Sequence, residues 1–373
     1  MKGIRGRIVG GVALAGSLAT VLTLMAVAPA SAGTPFIGGF TKVSTIASTV
    51  PHNGDVNPYG VAVVPRSVGR LVRGDVLVSN FNAKSNLQGT GKTIVQIAPN
   101  GTVQLFARIT RPLPGRCPGG VGLTTALGVL SSGWVIVGSL PTTNGMAATA
   151  KAGCLIVLDS QGKVRETIAG MGINGPWDMA TLDLGKVAVL FVSNVLNGTV
   201  AGGGSVVNRG TVVRLLLGVP SSGMPTVLDR TVVGSRFPER TDPAALVVGP
   251  TGLALGATGT LYVADSVRNR IAAIPGALFR GSSGGTGMTV SSNGALNTPL
   301  GLTLAPCGDI LTVNAGDGNI VETTPSGMQV ATMTLDSSGS PPGAGALFGL
   351  AVTPRANGVY FVDDATNELD LLH

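Results

Sequence analysis

Six apolar runs along the chain end in a residue that carries a side-chain oxygen. The clearest is Leu261–Asp265, which reads LYVAD. The six run-ending residues, called the strand-end ring below, are Asn80, Ser139, Asn194, Asp265, Asn314 and Asp363. Carboxylate and amide oxygens that converge on one axis can bind Ca²⁺, which takes about six to eight oxygen ligands. Asp265 and Asp363 carry the negative charges of this set and are therefore the candidate calcium ligands.

The strand-end ring also has a structural interpretation. Asp and Asn side chains cap turns by accepting hydrogen bonds from backbone amides, which would explain why they recur. Positions repeated in every copy of a repeat are generally architectural. The recurrence therefore favours a structural role, and calcium binding is the alternative.

The spacing of the ring predicts the fold. Consecutive members are 59, 55, 71, 49 and 49 residues apart. In the clearer units a signal such as Asn57-Pro-Tyr-Gly60 opens an apolar strand before the run, and a hairpin signal such as Asn100-Gly101 follows it. Repeats of this length with several short strands are typical of β-propellers. We expect an all-β protein, a six-bladed β-propeller with four-stranded antiparallel blades.

The sixth unit contains three strands before the chain ends at His373. The segment Phe40–Thr49 is strand-like and belongs to no unit. Pairing this segment into the sixth unit would remove two open sheet edges, which otherwise promote aggregation. We therefore predict that an N-terminal strand closes the ring.

Three motifs carry a family resemblance: Asn57-Pro-Tyr-Gly60, the tyrosine-containing strand that ends in Ala264-Asp265, and Asn269-Arg-Ile271. Together they resemble the NHL-repeat family of six-bladed β-propellers, over essentially the whole chain after residue 32. The resemblance implies the scaffold. Some six-bladed relatives are metal-dependent lyases or lactonases, and the amidating lyase of the NHL group uses histidine-ligated zinc. This chain has two histidines, His52 and His373, so that zinc mechanism is not carried over.

One end of the predicted disc collects polar side chains. Because strands one and two of a unit are antiparallel, the turns before strand one lie at the same end as the strand-end ring. The residues gathered there beside the ring are Asn57, Asn174, Trp177 and Asp178. We expect a binding scaffold for a protein, glycan or small ligand on this face. One alternative is a calcium-dependent lyase or hydrolase, similar to a lactonase, acting at the axial mouth through Asp178, Asp265 and Asp363. Another is a structural protein of the cell envelope.

Residues 1–32 have the pattern of a secretory signal peptide. A basic start and an apolar run precede Ala30-Ser-Ala32, a small-residue cleavage site. We predict a single propeller domain over residues 33–373 that is secreted, or secreted and associated with the cell envelope. An uncleaved membrane anchor is the alternative, since the apolar run is long for a signal peptide.

The three cysteines suggest one disulfide. Cys117 precedes the first strand of unit two, and Cys154 opens the third strand of that unit. Both positions lie at the same end of one blade, so a bridge between them is predicted for an exported protein. Cys307 falls in a turn at the opposite end and has no partner. The alternative is three free thiols.

The charge balance excludes some classes of partner. Without the three cations of residues 1–32, 22 Lys and Arg stand against 18 Asp and Glu, and 22 − 18 leaves +4. These charges are scattered along the sequence and have few aromatic neighbours, which is unlike a nucleic-acid-binding face. After residue 32 no apolar run approaches the length of a membrane span. We expect a monomer that does not bind nucleic acid and has no membrane span after residue 32.

Overall fold

Strands account for nearly all regular structure in residues 34–373. A computed structural model describes residues 34–373, and the predicted signal peptide lies outside the described residues. Within residues 34–373 the only helices are three single turns of 3-10 helix. None of the helices in this part of the chain has the length and apolar character to cross a membrane.

The strands form six antiparallel sheets, one for each predicted blade, and β1 (Val43–Ser48) precedes blade one. Blade one consists of β2 (Val56–Val63), β3 (Val76–Asn82), β4 (Thr93–Ile97) and β5 (Val103–Arg108). Blade two consists of β6 (Leu123–Val129), β7 (Val135–Ser139), β8 (Cys154–Leu158) and β9 (Val164–Ile168). Blade three consists of β10 (Pro176–Asp183), β11 (Val187–Asn194), β12 (Val207–Gly218), β13 (Thr226–Asp242) and a short fifth strand, β14 (Leu246–Val248).

The remaining blades follow in chain order. Blade four consists of β15 (Pro250–Leu255), β16 (Leu261–Asp265), β17 (Arg270–Ile274) and β18 (Met288–Ser292). Blade five consists of β19 (Pro299–Leu304), β20 (Ile310–Asn314), β21 (Asn319–Thr323) and β22 (Gln329–Thr334). Blade six consists of β23 (Leu347–Val352), β24 (Val359–Asp363) and β25 (Glu368–Leu372), followed in space by β1. The predicted six-bladed β-propeller is confirmed.

The first strand of each blade lies nearest the axis, and these six inner strands contact one another around a closed ring. Strands in the middle of a blade are buried along their whole length, as in β3 and β8. A sheet packed between two others needs apolar side chains on both faces, which is why the sequence shows continuous apolar runs instead of alternation. The core is therefore a series of inter-blade layers.

The ring is closed by β1, which pairs antiparallel with β25 in blade six. The register joins Val43 to Leu372 and Ser48 to Glu368. The backbone N–H groups of Thr41 and Lys42 both donate to the carbonyl oxygen of His373, at 3.2 and 3.1 Å. The predicted closure strand is confirmed.

A disulfide ties blade two to the connection that enters it. Cys117 and Cys154 are bonded, with their Cα atoms 5.2 Å apart. Cys307 is free and exposed. The predicted pairing is therefore confirmed.

Blade three carries a long hairpin that reaches over the axis. Its outer strand β13 turns at residues 243–245 into β14. Leu246, Val247 and Val248 are at most 1% exposed and belong to one apolar cluster with the inner-strand residues Tyr59 and Trp177. The amide side chain of Gln88 in blade one donates to the carbonyl oxygen of Pro243 at 2.8 Å and fixes the hairpin tip. This hairpin, the axial plug, therefore covers the end of the disc where the strand-end ring lies.

Deleting residues 40–49 should destabilise the whole ring. The deletion removes the strand that pairs with β25 of blade six and precedes β2 of blade one in the chain. The edge of β25 is then exposed. We expect soluble aggregates and loss of a cooperative thermal transition, measured by light scattering and circular dichroism. Deleting the turn residues Gly203 and Gly204, both of which are exposed, is the matched control and should change little. An unchanged melting temperature after removal of residues 40–49 would contradict closure by this strand.

Candidate functional site

The strand-end ring is buried inside the disc. Its members are between 0 and 4% exposed. The side-chain amide of Asn80 donates to the carbonyl oxygen of Thr49 at 2.9 Å, and that of Asn314 donates to the carbonyl oxygen of Ala295 at 2.8 Å. The hydroxyl of Ser139 donates to the carbonyl oxygen of Gly120 at 2.8 Å. These three contacts join the second strands of blades one, five and two to the loops that precede those blades, which is an architectural role.

The two carboxylates of the ring are held in different ways. Asp265 Oδ2 accepts a hydrogen bond from Nε of Arg270 at 2.8 Å, and both side chains are buried. Asp363 Oδ1 accepts from the backbone N–H of Ala365 at 2.8 Å and caps a turn. They belong to blades four and six, with blade five between them.

The calcium and catalytic roles of Asp178, Asp265 and Asp363 stay predictions, and the positions of their ligand atoms bear on one form of such a site. Within residues 34–373, three carboxylate, thiol or imidazole ligand atoms come within 4.8 Å of one another at Cys307, Asp309 and Glu322, and not at Asp178, Asp265 and Asp363. Glu322 is engaged there, since its two oxygens accept the backbone N–H groups of Phe36 and Ile37 at 2.7 and 2.8 Å. Asp178, Asp265 and Asp363 therefore do not form a cluster of three carboxylates, and calcium binding by Asp265 and Asp363 stays a prediction.

Aromatic residues and the axial plug close the end of the axis where a site was expected. The rings of Tyr59 and Phe348 are stacked with centroids 3.9 Å apart, and Trp177 lies 6.2 Å from Tyr59. Trp177 is 2% exposed, and its indole N–H donates to the carbonyl oxygen of Val247 at 3.0 Å. Trp177 therefore anchors a segment of its own chain.

The two asparagines predicted beside the ring also make internal contacts. The backbone N–H of Asn57 donates to Oδ1 of Asn367 at 2.7 Å. The side-chain amide of Asn174 donates to Oδ1 of Asn197 at 2.6 Å. Asn57 is 3% exposed. Both residues fix loops at the covered end of the disc.

An axial cavity of about 340 Å³ lies below the aromatic residues. All six inner strands line it, mainly through their C-terminal halves. One apolar layer takes an equivalent residue from each blade, in register with the second strand: Val61, Leu127, Met179, Leu253, Leu302 and Leu350. The strand ends beyond this layer, such as Val63, Leu304 and Val352, are half-buried. The cavity therefore opens at the end opposite the axial plug.

Asp178 is the one charged residue that lines this cavity. Its backbone N–H donates to the hydroxyl of Ser193 at 3.0 Å, the contact that Gly60 makes to Ser79 in blade one. Blades four, five and six also have glycine at this position. Blades five and six require glycine there because a Cβ on Gly301 or Gly349 would overlap the backbone of the next inner strand, whereas blade two has Ala126. Blade three replaces this glycine with a carboxylate.

The carboxylate of Asp178 is wedged between blades three and four. Its Oδ2 accepts the backbone N–H of Leu253 at 2.9 Å, and the residue is 8% exposed. Burial raises the pKa of Asp178 to about 7, and the hydrogen bonds from the amides of Leu253 and Met179 oppose this rise. Asp178 can therefore exchange a proton near neutral pH inside an apolar channel.

Of the residues predicted for the site, Asp178 is thus the one that lies in a cavity. Sequence reasoning grouped it with the covered end and missed the apolar layer beneath it. An alignment of the six units with one another would have separated Asp178 from the covered end, since it stands where four units have glycine. The apolar layer has no such signal, because its Val, Leu and Met residues are the same types that fill the core.

Removal of the two ring charges should have unequal effects. Asp265→Asn leaves the buried guanidinium of Arg270 without its counter-charge and should cost about 3 kcal/mol. Asp363→Asn keeps the turn cap, and burial already raises the pKa of Asp363 to about 6, so a neutral side chain should cost less than about 1 kcal/mol. Urea unfolding of each variant at pH 7.5 measures the difference, and equal losses would contradict this assignment.

Asp178 should make the protein less stable as the pH rises. The usual Asp pKa is 3.8, so between about pH 4 and pH 7 the unfolded chain releases a proton that the folded chain retains. The free energy of unfolding should fall across this window, by up to about 4 kcal/mol from Asp178. Asp178→Asn should remove that part of the slope in urea unfolding at pH 4.5, 6 and 8. The control is Asp229→Asn, at an exposed ion pair with Arg214, and it should keep the pH dependence of the free energy of unfolding. Identical pH dependence in the two variants would overturn the prediction.

The fold recurs in solved structures of other proteins. A proposed oxidoreductase (glucose dehydrogenase) from Thermus thermophilus is 14% identical, with 89% of this chain and 99% of that chain covered at a TM-score of 0.54. A gluconolactonase from Xanthomonas campestris is 13% identical; the match covers 93% of this chain and 98% of that chain at a TM-score of 0.51. A proposed gluconolactonase is 15% identical; the match covers 92% of this chain and 96% of that chain at a TM-score of 0.50. No family model and no curated protein matches the chain. At these identities the likeness shows the fold, a six-bladed propeller.

Proposed function

We propose that this protein is an exported, monomeric, NHL-like binding propeller that takes a small ligand in its axial cavity. The ligand enters from the mouth at the C-terminal ends of the inner strands. The observation that carries the proposal is the carboxylate of Asp178, the one charged group in the described lining of the axial cavity, at a position where four other blades have glycine. A carboxylate buried without an ion-pair partner is unfavourable for stability, so its presence in the cavity lining supports a role in binding.

The lining supports a particular ligand chemistry. The apolar layer offers six aliphatic or thioether side chains, and the cavity of about 340 Å³ is at the lower end for small-molecule sites. Asp178 Oδ1 is the oxygen not bonded to Leu253, and it can accept a hydrogen bond or pair with a cation. The favoured ligand is a short apolar molecule with one ammonium or other strong donor at its end.

A lactonase-like hydrolase is the second candidate. The observation that favours it is the pKa of Asp178 near 7, which suits a general base for water at neutral pH. The solved gluconolactonases share the fold, and this likeness alone does not carry an activity. The carboxylate of Asp265 is bonded to Arg270, and that of Asp363 accepts a backbone N–H in a turn. The hydrolase would therefore depend on Asp178.

Binding of simple probes should depend on Asp178. At pH 8, where its carboxylate is ionised, hexylamine should raise the melting temperature, and hexanoate should not. Asp178→Asn should abolish the response to hexylamine because the ion pair is lost. Ala351→Phe, which places a ring in the cavity lining, should block the probe by volume, while Asp229→Asn should bind as the unmodified protein does.

Equal responses to hexylamine and hexanoate, or an unchanged response in Asp178→Asn, would contradict the proposal. The same proteins can be assayed for hydrolysis of an aliphatic δ-lactone, with and without added calcium. Turnover that disappears in Asp178→Asn would favour the hydrolase. Turnover that requires calcium and survives in Asp178→Asn would place the site elsewhere.

A further inference from the structure

A second cleft lies between blades one and two, away from the axis. It has a volume of about 380 Å³. Three cations line it, Lys92, Arg108 and Arg111, and are called the cation triad below. The hydroxyl-bearing residues Thr110 and Thr143 also line the cleft.

The cation triad lies in a long part of the sequence that has no acidic residue. Residues 76–158 contain no Asp or Glu, and they contain six cations: Lys84, Lys92, Arg108, Arg111, Arg116 and Lys151. Within residues 34–373, none of the triad forms an ion pair with a carboxylate. Like charges that line one cleft repel each other, so an arrangement without counter-charges favours a bound anion.

One carboxylate contacts this wall of blade one. Asp55 accepts the backbone N–H of Lys92 and the hydroxyl of Thr93, both at 2.9 Å. Asp55 is 4% exposed, so its oxygens are directed into the blade and not into the cleft. The three positive charges of the cation triad and the negative charge of Asp55 together give the cleft region a charge of +2.

The walls of the cleft are fixed by covalent and backbone contacts. Arg108 ends β5 and is paired with Thr93 of β4. The disulfide Cys117–Cys154 holds the opposite wall, where the N–H of Gly119 donates to the carbonyl oxygen of Ala152 at 2.7 Å.

The guanidinium of Arg111 lies against the backbone of Gly120. A Cβ at Gly120 would be 3.0 Å from Cζ of Arg111, and the φ of Gly120 is +103°, which favours glycine. Glycine thus allows the guanidinium to approach this wall of the cleft closely. A cation placed against a fixed wall loses less side-chain entropy when it binds an anion.

We propose that the cation triad binds the phosphate group of a phosphate monoester. Such a group carries a charge of about −1.5 to −2 at pH 7, which matches the +2 of the cleft region. The two guanidinium groups can each donate paired hydrogen bonds to phosphate oxygens, and Lys92 supplies a point charge. Thr110 and Thr143 can donate from their hydroxyls. This site is independent of the axial cavity and of Asp178.

Calorimetric titration tests the proposal at constant ionic strength. Inorganic phosphate and glycerol 1-phosphate should bind saturably to the mature protein, and chloride and acetate should not. Arg108→Gln with Arg111→Gln should weaken binding by about tenfold or more, because two charge-assisted contacts are lost. Arg116→Gln is the matched control, since Arg116 lies in the same basic segment and does not line the cleft. Circular dichroism melting shows whether each variant is folded.

The outcomes separate the sources of the phosphate. Tighter binding of glycerol 1-phosphate than of inorganic phosphate assigns the cleft to an ester, and equal binding assigns it to the free ion; both support phosphate recognition. Sedimentation with vesicles that contain phosphatidic acid, if it depends on Arg108 and Arg111, assigns the ester to a lipid headgroup. Binding that is equal for all anions, or equally strong in the double variant, overturns the proposal. Binding of a short oligonucleotide without binding of either monoester also overturns it.

Discussion

The close approach of neighbouring inner strands is the constraint on which the rest of the structure depends. At Gly301 and Gly349 an added Cβ would overlap the backbone of the following inner strand. The contact sets how tightly the six blades pack around the axis, and hence the width of the cavity. Asp178 occupies the same position in blade three, and its carboxylate accepts a hydrogen bond from the amide of Leu253 on the next inner strand. The polar group of the channel is therefore also part of the ring's packing, and its position is fixed by that packing.

The axial plug decides which end of the channel is open. A ring of six inner strands leaves two mouths, and the aromatic residues Tyr59 and Phe348 with the apolar hairpin residues close one of them. Apolar side chains at the axis would be exposed without the hairpin, so their burial stabilises both the hairpin and the ring. The opposite mouth is bounded by short turns and has no comparable cover within residues 34–373. A ligand site on the axis is consequently restricted to this second mouth.

Local sequence patterns were sufficient for the architecture and insufficient for the site. The blades, the closure strand and the Cys117–Cys154 pair follow from patterns that repeat within about fifty residues or from the geometry of one blade. The 71-residue spacing between Asn194 and Asp265 does indicate an insertion, but nothing in it shows that the hairpin folds across the axis. That placement depends on contacts with Trp177 and Gln88, which come from other parts of the chain. The strand-end ring was a sound guide to the fold because it is architectural, and for the same reason it is a poor guide to a ligand site.

The distribution of charge around the disc provides a further argument about approach. Residues 76–158 hold six cations and no acid, whereas residues 281–373 hold eight acids and one cation, Arg355. The small net charge of the chain conceals this asymmetry, because the positive and negative regions nearly cancel in the total. Blades one and two are therefore positive and blades five and six negative, and a field of this kind steers anions toward one side of the disc. Screening limits the effect to about 8 Å at physiological salt, so the field guides an anion only near the surface. An anionic group that reaches blades one and two can bind in the cleft that the cation triad lines. The axial carboxylate of Asp178 repels the same anion. The two cavities are thus matched to opposite charges, and one ligand class is not expected to occupy both.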